Sequence, residues 1–169
     1  MPRLQRISFE MMDDRSFSEA CPEFIPLYQE HTAGLQFTEH LRKAVQRGVP
    51  VAKIKQYSIW FWQHHIKPHF FQEEHFLLPF LEPDEASVVH LCHDHREIRD
   101  SISKMISHVS PGDFLMLATL LEEHIRFEEQ QFLPAAAATL AVQIREEIHR
   151  KLLLYPVNAG VWEDEFWNG

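Results

Sequence analysis

Two stretches of the chain, HFFQEEHFLLP from His69 to Pro79 and HIRFEEQQFLP from His124 to Pro134, share the pattern H-x3-E-E-x3-L-P. Each puts ionisable groups inside an apolar run. A His and a Glu four positions apart lie about one helical turn from each other on one stripe, so both reach the same ion or two adjacent ions. Imidazole nitrogen together with carboxylate oxygen is a ligand set for first-row metal ions. Histidine is also the one abnormal count in the composition, at twelve residues.

The elements that position these phrases are helical. Glycine is scarce, at five residues. No run alternates with period two, and apolar residues recur at i, i+3, i+4 and i+7. The pattern predicts an irregular N-terminal arm over 1–23 and a first helix over 24–47, ended by RGVP at 47–50. A second helix covers 51–80, with a kink or bulge at Pro68. After the turn LEPDEAS, a third helix runs over 85–108, capped by Asp84 or a neighbour. After SPGD, a fourth runs over 113–132, capped by Asp113 and broken again at Pro134. An amphipathic helix over 136–153 and an acidic, aromatic tail, YPVNAGVWEDEFWNG, complete the chain. The tail is equally readable as a dimer contact or as packing on its own bundle. Long helices joined by short turns predict an all-α fold, an antiparallel up-down four-helix bundle (about 24–132) with an extra C-terminal helix. No linker divides it, so residues 1–169 are expected to form one domain.

A helical wheel at about 100° per residue tests whether the phrases face inward. With His124 at zero, Leu117, Leu120, Leu121 and Phe127 fall within about 60° and Glu128 at about 40°, while Glu129 leaves the face at about 140°. On the second helix His69 and Glu73 share a face with Trp62, Ile66, Phe76 and Phe80. His65 sits one turn before His69, and His64, Glu74 and His75 point elsewhere. On the first helix His31 lies with Phe24, Leu27, Leu35, Thr38 and Val45, and His40 lies opposite. On the third, His95 lies with Val88, Leu91, Ile98, Ile102 and Ile106, away from His90, His93 and His108.

Six candidate metal ligands therefore face the core: His31, His69, Glu73, His95, His124 and Glu128. An unpaired buried polar group costs about 1–3 kcal/mol and a carboxylate more, so something must compensate. Mutual hydrogen bonds would do so, and a metal would do it better. Four His and two Glu are too many for one tetrahedral zinc. They suit two first-row ions sharing bridging carboxylates, with iron the first expectation and zinc or manganese as alternatives. His65 is a further ligand or a neighbour of the site. Glu74 and Glu129 are expected to be solvated or salt-bridged. His93-x3-Glu97 and Glu146-x-x-His149 read as surface pairs.

The formal charge of −9 argues against nucleic-acid or anionic-membrane partners. Cys21 and Cys92 form no C-x-x-C motif and fit a reducing compartment. The first residues carry no apolar leader and no stretch is long and apolar enough to span a membrane, so a cytoplasmic location is expected.

The segments EHTAGLQFTEHLRKAV, HHIKPHFFQEEHFLLPFL, HDHREIR and EEHIRFEEQQFLP, in that order, resemble the hemerythrin-like, His-His-Glu cation-binding domain family over about residues 24–150. The resemblance implies a four-helix bundle around a non-haem di-iron centre with a bridging oxo or hydroxo group. It implies that the same six residues are ligands, with Glu73 and Glu128 bridging. Oxygen-carrying hemerythrins place two His four apart on the third helix, where this chain has Leu91 and Arg99 on either side of His95. That departure points to binding or sensing of oxygen, nitric oxide or peroxide, or to iron handling, more than to bulk oxygen transport. A di-iron oxidase or peroxidase-like enzyme and a structural bundle with zinc or no metal are the competing classes.

Overall fold

A computed structural model describes residues 21–168. Most of the N-terminal arm expected over 1–23 lies outside the described residues. Helix α1, Ile25–Gln46, follows one 3-10 turn at Pro22–Phe24. It stops where Gly48 turns left-handed (φ 67°), a conformation that favours glycine, and Pro50 then precedes the next helix. Helix α2 is a composite rod. α-Helical Val51–Phe61 and Lys67–Gln72 alternate with single π-helical turns at Trp62–Ile66 and Glu73–Leu77, and a 3-10 turn at Leu78–Phe80 ends it. Helix α3 is Ala86–Ser107. Helix α4 joins Pro111–Phe127, a π turn at Glu128–Phe132 and Leu133–Thr139, and helix α5 is Val142–Leu154.

The π turns have a common cause in the sequence. Each is followed, at its second residue, by a proline: Pro68, Pro79 or Pro134. Proline lacks an N–H and its ring presses on the carbonyl four residues back. Widening the turn by one residue relieves that contact. The amide before each proline then reaches five back, from Lys67 to Trp62, from Leu78 to Glu73 and from Leu133 to Glu128. The L-P that closes each repeated phrase thus goes with a π turn that begins at its Glu-Glu pair.

Three expectations need correction. Pro134 does not break α4, because the π turn absorbs it, and the helix runs on to Thr139; the last helix starts only at Val142. Ser110, not Asp113, is the N-cap of α4. Asp113 sits in the first turn, where its carboxylate accepts the Ser110 backbone N–H and Oγ–H, both at 2.7 Å. The N-cap position of α3 is Glu85, the neighbour of Asp84, as that expectation allowed. Ile106, placed on the inward face by the wheel, is 64% exposed near the end of α3, and Met105 takes the buried position.

The bundle interior is not one apolar core but two. One cluster joins Phe37, Leu41, Phe61, Ile98, Phe114 and Leu117. The other joins Phe24, Leu27, Phe76, Leu91, Phe132 and Ile148. Between them runs a buried polar layer that contains His31, His69, Glu73, His95, His124 and Glu128. Helix α5 closes the second cluster, packing on Pro22–Phe24 and on the second π turn of α2. The aromatic tail packs on its own bundle, where Trp162, Phe166 and Trp167 join the first cluster. No helix of the described residues is long and apolar enough to cross a membrane.

Close packing of α1 on α4 beside the polar layer depends on Gly34. A Cβ there would lie 2.7 Å from Ile125 Cδ1. Glycine inside a helix costs about 1 kcal/mol against alanine, so close approach must compensate. Gly34→Val is expected to lower stability by about 1–3 kcal/mol through overpacking. Urea unfolding measures the loss, and adding Ile125→Val, which removes the clashing methyl, is expected to recover part of it.

Candidate metal centre

Each helix of the bundle brings a histidine to the polar layer, and α2 and α4 add a carboxylate one turn later. All six side chains are buried, with Glu73, His95 and Glu128 fully so. Glu128 Oε2 lies 2.8 Å from His31 Nε2 and 3.9 Å from His69 Nε2; Glu128 Oε1 lies 3.1 Å from His124 Nε2 and 3.9 Å from His95 Nε2. Glu73 Oε1 lies 3.5 Å from His69 Nε2, and Glu73 Oε2 lies 3.1 Å from His95 Nε2. Donor atoms of His31, His69, Glu73 and Glu128 gather within 4.8 Å of one another, as do those of Glu73, His95, His124 and Glu128. Both groups share the two carboxylates.

The outer edges of the four rings explain why their inner nitrogens converge. His31 Nδ1–H donates to Glu129 Oε1 at 2.9 Å, His69 Nδ1–H to Glu30 Oε2 at 2.7 Å and His95 Nδ1–H to Glu74 Oε1 at 2.7 Å. Asp94 Oδ2 approaches His124 Nδ1 to 3.4 Å, within ion-pair range but not aligned as a hydrogen bond. A carboxylate at Nδ1 fixes the tautomer and turns the Nε2 lone pair inward. The centre is then made of acceptors. The Nε2 atoms of His31 and His69 face each other at 3.2 Å. All four oxygens of Glu73 and Glu128, with Nε2 of His95 and His124, have no aligned hydrogen-bond partner. Facing lone pairs repel unless a proton or a metal ion lies between them.

The electrostatics agree. Burial alone would lower the His31 pKa, but the carboxylates of Glu128 and Glu129 outweigh it and push it up to about 9. Burial likewise opposes protonation of His95, and the nearby carboxylates of Glu128, Glu73 and Glu74 push its pKa up to about 10. His69 is raised well above its ordinary value, against burial, by Glu73, Glu128 and Glu30. Glu128 is held well below its ordinary value, also against burial, by the surrounding imidazoles. The pocket draws positive charge, and without a metal it takes that charge as protons.

Sequence reasoning read the outer carboxylates in part. Glu74 and Glu129, expected in solvent or in salt bridges, are salt-bridged to His95 and His31, and Glu74 also takes two bonds from Arg99 Nη2 at 2.8 and 2.9 Å. Glu30 and Asp94 were missed. Their signal was present: an acid immediately precedes the inward His of α1 and of α3, in EH at 30–31 and DH at 94–95. His65 stays out of both donor groups. Its ring stacks on Phe61 at 4.2 Å and lines a cavity of about 30 Å³ beside His31, His69 and His124. His64 and His75 are exposed and bonded to their own helix, at Trp60 and Phe71 carbonyls. His93 and Glu97 are exposed, and His149 bonds the Glu23 carbonyl.

The model of the hemerythrin HHE cation-binding domain matches residues 25–136. The chain belongs to that family. The match spans α1 through most of α4 and so contains all six inward residues, and it gives cation binding as the property of the hemerythrin HHE domain. No curated protein and no solved structure gives a significant match to this hemerythrin HHE chain. The helical bundle and its His/Glu cluster are those of a cation-binding domain of this family. At the positions one turn either side of His95, Leu91 is fully buried and Arg99 braces Glu74 against the His95 ring.

Replacing Glu30 or Glu129 by Gln is expected to lower affinity for a divalent first-row ion about 10–100-fold while the helical content is kept. Metal titration with circular dichroism checks both. A second expectation concerns the metal-free chain. The raised pKa values of His31 (about 9) and His95 (about 10) give stability that is full below the unfolded value of about 6.5 and is lost as pH rises through 9–10. The depressed pKa of Glu128 gives stability present above the unfolded carboxylate value and lost as pH falls through the folded one. In chelator, Tm should therefore decline as pH rises from about 7 to about 10. Thermal unfolding across that range reads it, and a flat profile would refute the charge assignment.

Proposed function

We propose that residues 1–169 form a single hemerythrin-like domain whose centre holds two iron ions and serves to bind or sense a small ligand such as oxygen, nitric oxide or peroxide. One ion would be held by His31 and His69 and the other by His95 and His124, with Glu73 and Glu128 reaching both. The observation that carries this reading is the acceptor-only interior. Four imidazole nitrogens and four carboxylate oxygens converge, the outer N–H of His31, His69 and His95 is already committed to a carboxylate, and the two donor groups share both carboxylates. A mixed nitrogen and oxygen set with shared carboxylates suits six-coordinate iron better than tetrahedral zinc.

The ions, when bound, supply open coordination positions and a redox couple. The protein supplies everything else. Outer carboxylates orient the rings, and the two apolar clusters on either side exclude water from the layer. Phe70, stacked on His95 at 3.6 Å and edge-on to His124 at 5.4 Å, covers that half of the centre. The cavity of about 30 Å³ borders the His31–His69 half, walled by Gly34, Ile66, Leu121 and Ile125. A mainly apolar wall around a space of this size suits a small, weakly polar ligand.

Untagged protein from iron-replete cells is expected to carry about two irons per chain, with near-ultraviolet and visible charge-transfer bands that bleach on reduction. His69→Ala and His124→Ala are each expected to lose most of the metal, and His64→Ala and His75→Ala to keep it. Zinc alone, no metal, or equal metal content in all four variants would overturn the assignment in favour of a structural bundle. Steady consumption of oxygen or peroxide by the loaded protein would instead favour an oxidase or peroxidase-like enzyme on the same residues.

A further inference from the structure

The family match ends at residue 136, yet the chain beyond it returns to the centre. Helix α5 stops at Leu154, and the Tyr155 carbonyl accepts a hydrogen bond from Gln72 Nε2–H at 2.9 Å, one residue from Glu73. The backbone then leaves the helix. Among the residues that line the cavity beside His31 and His69, Val157 is the one that does not belong to α1, α2 or α4. Beyond it Gly160 turns left-handed at φ 66°. The Trp162 ring then lies 5.4 Å from both Tyr57 and Trp60, and Asp164 pairs with Lys53 at 2.8 Å. Trp167 is buried and stacks on His40 at 3.9 Å, and Arg47 donates to its carbonyl. The second anchor also touches the cavity wall, because Trp60 meets the ring of His65 at 5.5 Å.

The segment is thus tied down at both ends and lightly held in the middle. Pro156 and Asn158 are exposed, and Val157 is half-buried over the cavity. A stretch with few buried contacts between two firm anchors opens locally at lower free energy than the bundle itself. A volume of about 30 Å³ is about that of two waters at about 10–15 Å³ each, which is the size of a ligand of two or three atoms.

We propose that residues 155–168 are a strap that controls entry of such ligands to the His31–His69 half of the centre, and that Val157 sets the width of the entrance. The proposal rests on the metal reading above, with azide as the probe of that class. Opening requires only the middle of the strap to lift, with Trp167 and the Gln72 bond in place. Size at position 157 then governs how fast a ligand arrives, and leaves the donor set untouched.

The test compares the wild-type chain with Val157→Ala and Val157→Trp. In the iron-loaded protein, stopped-flow association of azide is expected to be about threefold faster in the alanine variant and about tenfold slower in the tryptophan variant, at unchanged iron content and Tm. In the metal-free protein, carbethoxylation of His65, half-buried in the cavity wall beside Val157, is expected to follow the same order when located by mass spectrometry. Carbethoxylation rates that are equal in all three chains would overturn the strap. If azide produces no band in any of them, the metal reading fails, and the carbethoxylation rates alone decide the strap.

Discussion

Two carboxylates sit at the middle of this bundle with no Lys or Arg to meet them. Among the described residues, Glu73 and Glu128 have only imidazoles as ion-pair partners. Both are fully buried, and taking a carboxylate out of water is the largest single penalty the fold must offset. The imidazoles offset it only while a proton or a cation lies between each Nε2 and an oxygen. Placing Glu73 and Glu128 one turn after a His on α2 and α4, and bringing one His from each of α1 and α3, is therefore one requirement met by four helices.

Holding those rings in place ties the helices into a closed circuit. His31 of α1 bonds Glu129 of α4, His69 of α2 bonds Glu30 of α1, and His95 of α3 bonds Glu74 of α2; Asp94 of α3 approaches His124 of α4. Each helix offers a ring to one neighbour and an acid to the other. The acids come from two local devices, an acidic residue just before the inward His on α1 and α3, and the second Glu of the doublet on α2 and α4. The doublet works because adjacent residues on a helix point about 100° apart, so Glu73 and Glu128 face the centre while Glu74 and Glu129 face a ring of a neighbouring helix.

Much of this was legible before any coordinates. Periodicity alone placed α1, α2 and α3 to within a residue or two, and the wheel put all six donor residues in the interior. Pro68 was read as a bulge and is one. What the wheel misjudged follows from its assumption of 100° per residue. A π turn breaks that spacing at Glu128–Phe132, so α4 outlasts Pro134 and runs on to Thr139. Nor does a wheel see hydrogen bonds between helices, and for that reason Glu30 and Asp94, which stand beside the apolar stripe, went unnoticed. Gly34 needed coordinates as well, since only the approach of Ile125 shows why a glycine stands inside α1.

The two halves of the centre carry the same donors and differ in everything around them. On the His95–His124 side, Phe70 covers the rings, and Asp94 is drawn outward by His90 at 3.3 Å and by His93 at 3.5 Å. On the His31–His69 side a glycine replaces a side chain, and the wall is left thin enough for a small cavity. Pseudo-symmetry in the donors thus coexists with asymmetry in access, and the two have different sources in the chain. The donors come from the segment that matches the family, whereas Val157 comes from beyond it. Cation binding belongs to the matched bundle, and what reaches the donors depends on their surroundings. The cavity and the strap are the parts of those surroundings that a ligand meets first.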